Sequence, residues 1–140
     1  MKILLAVDGS DISLRAVKYV LALRKELAKP PTVILANVDQ PLLQRVAVTM
    51  GAQAVARYHA ENADAMCNAA RRMLRRARID FLEAIHVGDV PDTLLALSKK
   101  HRADQIVMGS HGNGAIRGMF LGSVSAKVIA GSTVPVTIVR

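Results

Sequence analysis

Apolar residues along this chain alternate between two rhythms. Short, predominantly apolar runs, KILLAV (2–7), TVILANV (32–38), FLEAIHV (81–87), DQIVMG (104–109) and PVTIV (135–139), have the length and composition of buried strands. Between them the apolar positions recur every three or four residues, the helical period. Ala16, Val20, Leu23 and Leu27 fall on one face of a helix that follows the Gly9-Ser10 turn and is stopped by Pro30 and Pro31. The alanine-rich stretch from Ala52 to Ala77 predicts a long amphipathic helix. Pro91 suits the first turn of a further helix through Lys100, to which Asp92 adds negative charge. Ser123 to Ala130 predicts a last helix with Gly131 as its C-cap, and Asp39 to Met50, around Pro41, reads as a loop.

Strands that are continuous apolar runs and alternate with helices predict an α/β fold: a doubly wound parallel sheet with helices on both faces. Five strands make the flavodoxin-like orders available, and in such sheets ligands bind beyond the strand carboxyl ends, where the strand order reverses. If the order is 3-2-1-4-5, that point lies between strands 1 and 4. The segments leaving those strands carry Asp8 and the glycine-rich stretch VMGSHGNGAIRGMFLGSVSAKVI (107–129).

Composition narrows the function classes. At 140 residues the expectation is a single domain spanning 1–140. Apolar residues at 51% and charged residues at 21% describe an ordinary soluble globule. Cys67 is the only cysteine, so no intrachain disulfide is possible and no zinc-site spacing exists, which favours a reducing cytoplasm. The apolar stretch at the N-terminus is too short for a signal peptide or a membrane span. A net charge of +8 raises nucleic acid as a partner. Arg71, Arg72, Arg75 and Arg76 repeat at helical spacing, however, and read as a solvated face near a helix C-terminus. With aromatics at 3% there is no stacking platform for single strands, so a nucleic-acid or acidic partner bound through Arg71–Arg78 is the lesser alternative.

The glycines of 107–129 match neither common phosphate loop. No glycine pair leads into the Lys-Ser/Thr of a P-loop, and Gly112, Gly114 and Gly118 are spaced one residue too far for a dinucleotide fingerprint. Glycine still permits close backbone approach to a ligand, and the N–H groups of a helix start attract anions. Gly122 and Ser123 stand where that helix begins and describe a phosphate cradle; the plainer alternative is Ser123 as an N-cap.

Gly109, Gly112 and Gly122-Ser123 together spell G-x2-G-x9-G-[ST], and the sequence resembles the universal stress protein family. ILLAVDGS, HVGDVPDTLLALSKKHRADQIVMGSHG and LGSVSAKVIAGSTVPVTIVR extend the resemblance from end to end. It implies a five-stranded flavodoxin-like sheet of order 3-2-1-4-5, a homodimer paired through the last strand, here Thr133–Val139, and membership of the subgroup that binds ATP. Carried over by position, Ala6, Val7 and Asp8 wall the adenosine and the Val38 backbone reads adenine. Met108, Gly109, His111 and Gly112 form the first part of the ribose and phosphate loop, and Gly122, Ser123 and Val124 the second. Taken singly these have plainer readings: Asp8 a turn acid, Val38 and Met108 core, His111 an exposed loop residue. Arg117 lies inside the nine-residue gap and reads as a free surface arginine. With Asp8 the one acid near the cradle, Mg2+ or Mn2+ is expected to ride on the triphosphate with water completing its shell. No catalytic apparatus for phosphoryl transfer is evident, so the expectation is a regulatory nucleotide-binding protein, with slow ATP hydrolysis as the enzymatic alternative.

Overall fold

Strand pairing in the computed structural model, which describes residues 1–112 and 121–140, is parallel throughout. The chain runs β1 (Lys2–Ala6), α1 (Asp11–Glu26), β2 (Thr32–Asp39), α2 (Gln44–Met50), α3 (Ala52–Arg76), β3 (Phe81–Val87), α4 (Val90–His101), β4 (Gln105–Gly109), α5 (Ser123–Gly131) and β5 (Val136–Val139). The five strands stand in the order β3-β2-β1-β4-β5, the flavodoxin-like arrangement expected from the resemblance.

Alternation along the central strands supplies two cores. Ile3, Leu5, Val33 and Leu35 turn to one face and meet Ala16, Val17 and Val20 of α1 and Cys67, Ala70 and Leu74 of α3. Leu4, Ile34 and Ile106 turn to the other and meet Leu94 and Leu97 of α4 and Val128 of α5. Being covered on both sides, these strands have no polar face to show, so their sequences are unbroken apolar runs.

Helix starts are set by short side-chain bonds. Ser10 Oγ accepts from Ser13 N–H at 3.1 Å and begins α1; Asp89 does the same for α4 through Asp92 N–H at 3.1 Å, with Pro91 in the first turn. Such caps select where a helix begins more sharply than periodicity does.

Three features differ from the sequence reading. The expected loop from Asp39 to Met50 contains α2, seven residues with no buried member, whose β-branched Val46, Val48 and Thr49 give little helical signal. Gly131 is not a cap: it is the last residue of α5, and a Cβ there would stand 2.6 Å from Leu95 Cδ1, so the glycine lets α5 lie close on α4. The edge strand β3 is covered only in part, with Leu82 57% and Val87 47% exposed.

Leu35 lies in a central strand with no exposure. Leu35→Ala is expected to cost about 2–5 kcal/mol in denaturant unfolding, from lost transfer energy plus the residual cavity. A loss below about 1 kcal/mol would contradict the close packing assigned to this face.

Candidate functional site

The site arises because β1 ends before β2 does. Val7 N–H donates to Ala36 C=O at 2.9 Å, and there the backbone ladder between these strands stops. The next acceptor on β1, Val7 C=O, is taken by the side chain of Asn37, whose Nδ2 donates at 2.9 Å. On the other edge of β2, Val33 N–H donates to Asp80 C=O and Gly88 N–H to Asp39 C=O, so odd-numbered residues bond toward β3 and even-numbered ones toward β1. Val38 therefore presents its N–H and C=O to the β1 side beyond the end of that strand, and neither finds a backbone partner among the described residues. Beside them opens a cavity of about 160 Å³ between the sheet, α4 and α5.

Its walls are largely apolar: Ala6, Ala36 and Val38 from the sheet, Val90 and Leu94 from α4, and Val124 from α5. The polar rim comes from Asp8, Ser13 and His111, with Gly109 and Gly112 completing it. Asp8 Oδ1 accepts from Ser10 N–H at 3.0 Å and from Ser10 Oγ at 2.6 Å, which fixes the carboxylate at the end of β1. Gly112 passes directly over it; a Cβ on Gly112 would lie 2.5 Å from Asp8 Oδ2, so a side chain there would have to displace the carboxylate. His111 Nδ1 shares a hydrogen bond with Ser110 Oγ at 2.9 Å, while its Nε2 is buried without a partner. A buried polar nitrogen left unpaired costs free energy until something pairs with it.

The two ends of the glycine segment are tied together. Gly122 N–H donates to Ser110 C=O at 2.8 Å, and Ser125 Oγ donates to Gly109 and Ser110 C=O at 3.0 and 3.1 Å. Gly122 is the N-cap of α5 and makes no side-chain cap; Ser123 is the exposed first residue, so the capping role open to it is not the one it takes. The first-turn N–H groups of α5 begin beside His111, at the positive end of the helix dipole.

Of the positions inferred from the sequence, Ala6, Val7, Asp8, Val38, Gly109, His111, Gly112 and Val124 line this one cavity. Met108 is 6% exposed and belongs to the core against α4 and α5. Gly122 and Ser123 stand at the start of α5, next to His111 but outside the cavity wall. Arg117 lies outside the described residues. Ser13, Ala36, Val90 and Leu94 join the wall without having been expected there. Ala36 was readable as the same-face neighbour of Val38, and Val90 with Leu94 as an i, i+4 pair, whereas Ser13 enters only because α1 begins under Asp8.

Next to Val38, Asp39 closes β2 against α3, accepting from His59 Nδ1 at 2.7 Å and Asn62 Nδ2 at 3.0 Å. Burial alone would push its carboxyl up; the hydrogen bonds from Asn62 and His59, with the histidine's charge, outweigh this and hold it below the ordinary carboxylate range. Among the described residues no group of three or more His, Cys, Asp or Glu is placed to hold a metal ion.

The sequence profile of the universal stress protein family matches residues 1–140. The chain belongs to the universal stress protein family. A universal stress protein of Thermus aquaticus is 32% identical over 138 residues, covering 99% of this chain and 97% of that one. Among solved structures, the protein MJ0577 superposes with a TM-score of 0.85 at 28% identity over 99% of this chain and 94% of its own. A universal stress protein in complex with cAMP superposes with a TM-score of 0.71 at 26% identity, over 100% of this chain and 97% of its own. No described helix of this universal stress protein is long and apolar enough to cross a membrane.

Because the Asp39 carboxyl is held below its ordinary value of 3.8, its contribution to stability is present above that pH and is lost as pH falls through the depressed value. Asp39→Asn is therefore expected to be less stable than the wild type near neutrality and to converge with it in acid. Equal stability across a pH series of unfolding curves would refute the assignment.

Proposed function

We propose that this universal stress protein binds ATP at the carboxyl ends of β1 and β4 and acts in the stress response as a regulatory protein, bound nucleotide favouring one conformation or assembly. The observation that carries the reading is the Val38 N–H and C=O, left without a backbone partner among the described residues, beside an apolar slot. An adenine edge offers an acceptor ring nitrogen and a donor amino group, the complement of that backbone pair. The slot, about 160 Å³, is below the roughly 300–1,000 Å³ of pockets that enclose a whole small ligand, so it suits the base and leaves sugar and phosphates at the mouth. There the first turn of α5 and His111 Nε2 offer donors to phosphate oxygens. That a family member of similar fold is in complex with cAMP supports an adenine nucleotide as the ligand class. With Asp8 the carboxylate on the rim, Mg2+ or Mn2+ would be carried on the phosphates, its shell completed by water. Cys67, buried and free, suits a cytoplasmic protein.

Excess ATP is expected to raise the melting temperature, corresponding to about 2.7 kcal/mol at a hundredfold excess over Kd. Gly112→Ala, which would drive a methyl group against Asp8, should remove most of that response while the unliganded protein still melts cooperatively. A melting temperature indifferent to ATP, together with no nucleotide released on denaturing freshly purified protein, would overturn the reading.

For assembly we propose a homodimer paired through β5 and its approach, Thr133–Val139. This edge strand is half-buried along its length, with Val136 and Ile138 packed against the α4–α5 core. An edge with unpaired backbone groups invites a second strand. Light scattering at micromolar concentration should give twice the chain mass; a monomer mass would exclude it.

A further inference from the structure

In a sheet of this kind each helix runs back against the strand before it, so helix C-termini collect at the strands' amino ends, opposite the cavity. Lys2 Nζ donates to His101 C=O at 3.4 Å, and one surface groove is lined by Lys18, Arg24 and Lys25 of α1 together with Ala77, just past α3. The last turns of α1, α3 and α4 each carry at least two lysines or arginines. The described ion pairs are His59–Asp39, Arg71–Asp64 and Arg71–Glu83, and none of them engages these cations. Of the carboxylates near this end, Asp104 is occupied by Lys2 N–H at 2.7 Å and Glu83, which shares a groove with Arg75, Arg78 and Asp80, by Arg71, which leaves Glu26 and Asp80 against the cations of three helix ends.

Dipole compensation accounts for cations in the last turns. It does not account for how α3 and α4 end. Both close with the same motif: Arg78 N–H donates to Arg75 C=O and Ile79 N–H to Leu74 C=O; Arg102 N–H donates to Lys99 C=O and Ala103 N–H to Ser98 C=O. In such motifs the left-handed position is usually glycine. Here it is arginine both times, at φ 53° and 52°, although a side chain strains that backbone. Two guanidinium groups are thus held on one basic face at positions where the backbone favours glycine.

We propose that this face docks the phosphate backbone of double-stranded nucleic acid, independently of the cavity on the opposite side. Arginine forks pair with phosphate oxygens two at a time. Among the described residues the large apolar side chains exposed near this end are Met1 and Leu82, two single residues by the non-adjacent strands β1 and β3, set among many more cations. Phe81 is covered by Arg75, 5.9 Å from its ring centroid, so no free ring is there to stack single-stranded bases. The sequence showed only the α3 portion of this surface; Arg71 is engaged by Asp64 and Glu83, and the fold adds α1 and α4.

Fluorescence anisotropy with a labelled duplex of about 20 base pairs, between about 50 and 200 mM salt, tests the proposal. Wild type should bind, with affinity falling steeply as salt rises. The double variant Arg78→Gly/Arg102→Gly should weaken binding at least about fivefold at low salt and make the log–log salt slope shallower by about 2, roughly 0.9 for each phosphate no longer neutralised. Its melting temperature should rise, since glycine relieves both left-handed positions. A higher melting temperature with unchanged binding overturns the proposal and leaves helix-end compensation as the role of the face. Equal binding to anionic vesicles, polyglutamate or a single strand also overturns it. If the double variant melts lower, Arg76→Gln/Lys99→Gln serves instead: the same flattening of the slope supports docking, and an unchanged slope refutes it.

Discussion

A parallel sheet leaves backbone groups unpaired wherever one strand outruns its neighbour, and this protein places that mismatch at its centre. β1 makes its last ladder bond through Val7 N–H, while β2 continues to Asp39. Unpaired peptide groups in an apolar surrounding are costly, so the gap has to be managed. On one face Asn37, 1% exposed, turns its amide into the gap and satisfies Val7 C=O. On the other face no described residue closes it, and the cavity lies there. The strand order makes this mismatch functional, because β1 lies between β2 and β4 and its carboxyl end is where the chain departs toward opposite faces.

Close approach governs what surrounds the gap. Gly112 crosses the Asp8 carboxylate where a methyl group would displace it, and Gly122 hydrogen-bonds back to Ser110, so the glycine segment begins and ends at one place. Ser125 bridges both carbonyls from beneath. The result is a rim whose polar groups are mostly committed to one another, with His111 Nε2 as the conspicuous exception. The α4–α5 layer behind it can be tight because Gly131 lets the helices meet at Leu95.

The topology also sorts charge. Helix starts carry their capping groups, Ser10 and Asp89, to the cavity end of the sheet, and helix ends carry lysines and arginines to the other. A net charge of +8 is therefore not spread evenly: the dipoles and the side chains that answer them share one axis. Read locally, Arg71–Arg78 belongs to one helix and describes a solvated face. That view could not include α1 and α4, which come from far along the chain, nor the φ values of Arg78 and Arg102.

What the sequence determined by itself is what depends on local repetition and short spacing. The five apolar runs set the strands, the helical period set α1 and α3, turn and cap residues pointed to α4 and α5, and G-x2-G-x9-G-[ST] with ILLAVDGS set the family and most residues of the cavity. α2 escaped because seven residues rich in β-branched side chains carry too little periodicity, and Gly131 was misassigned because a glycine at a helix end looks the same whether it caps or packs. Only the tertiary structure decided where β1 stops relative to β2, that Asn37 takes the bond Val38 would otherwise compete for, that Ser13, Val90 and Leu94 join the wall, and that Asp39 meets His59 and Asn62. Each of these depends on strand register or on a meeting of distant segments, and neither leaves a periodic trace along the chain.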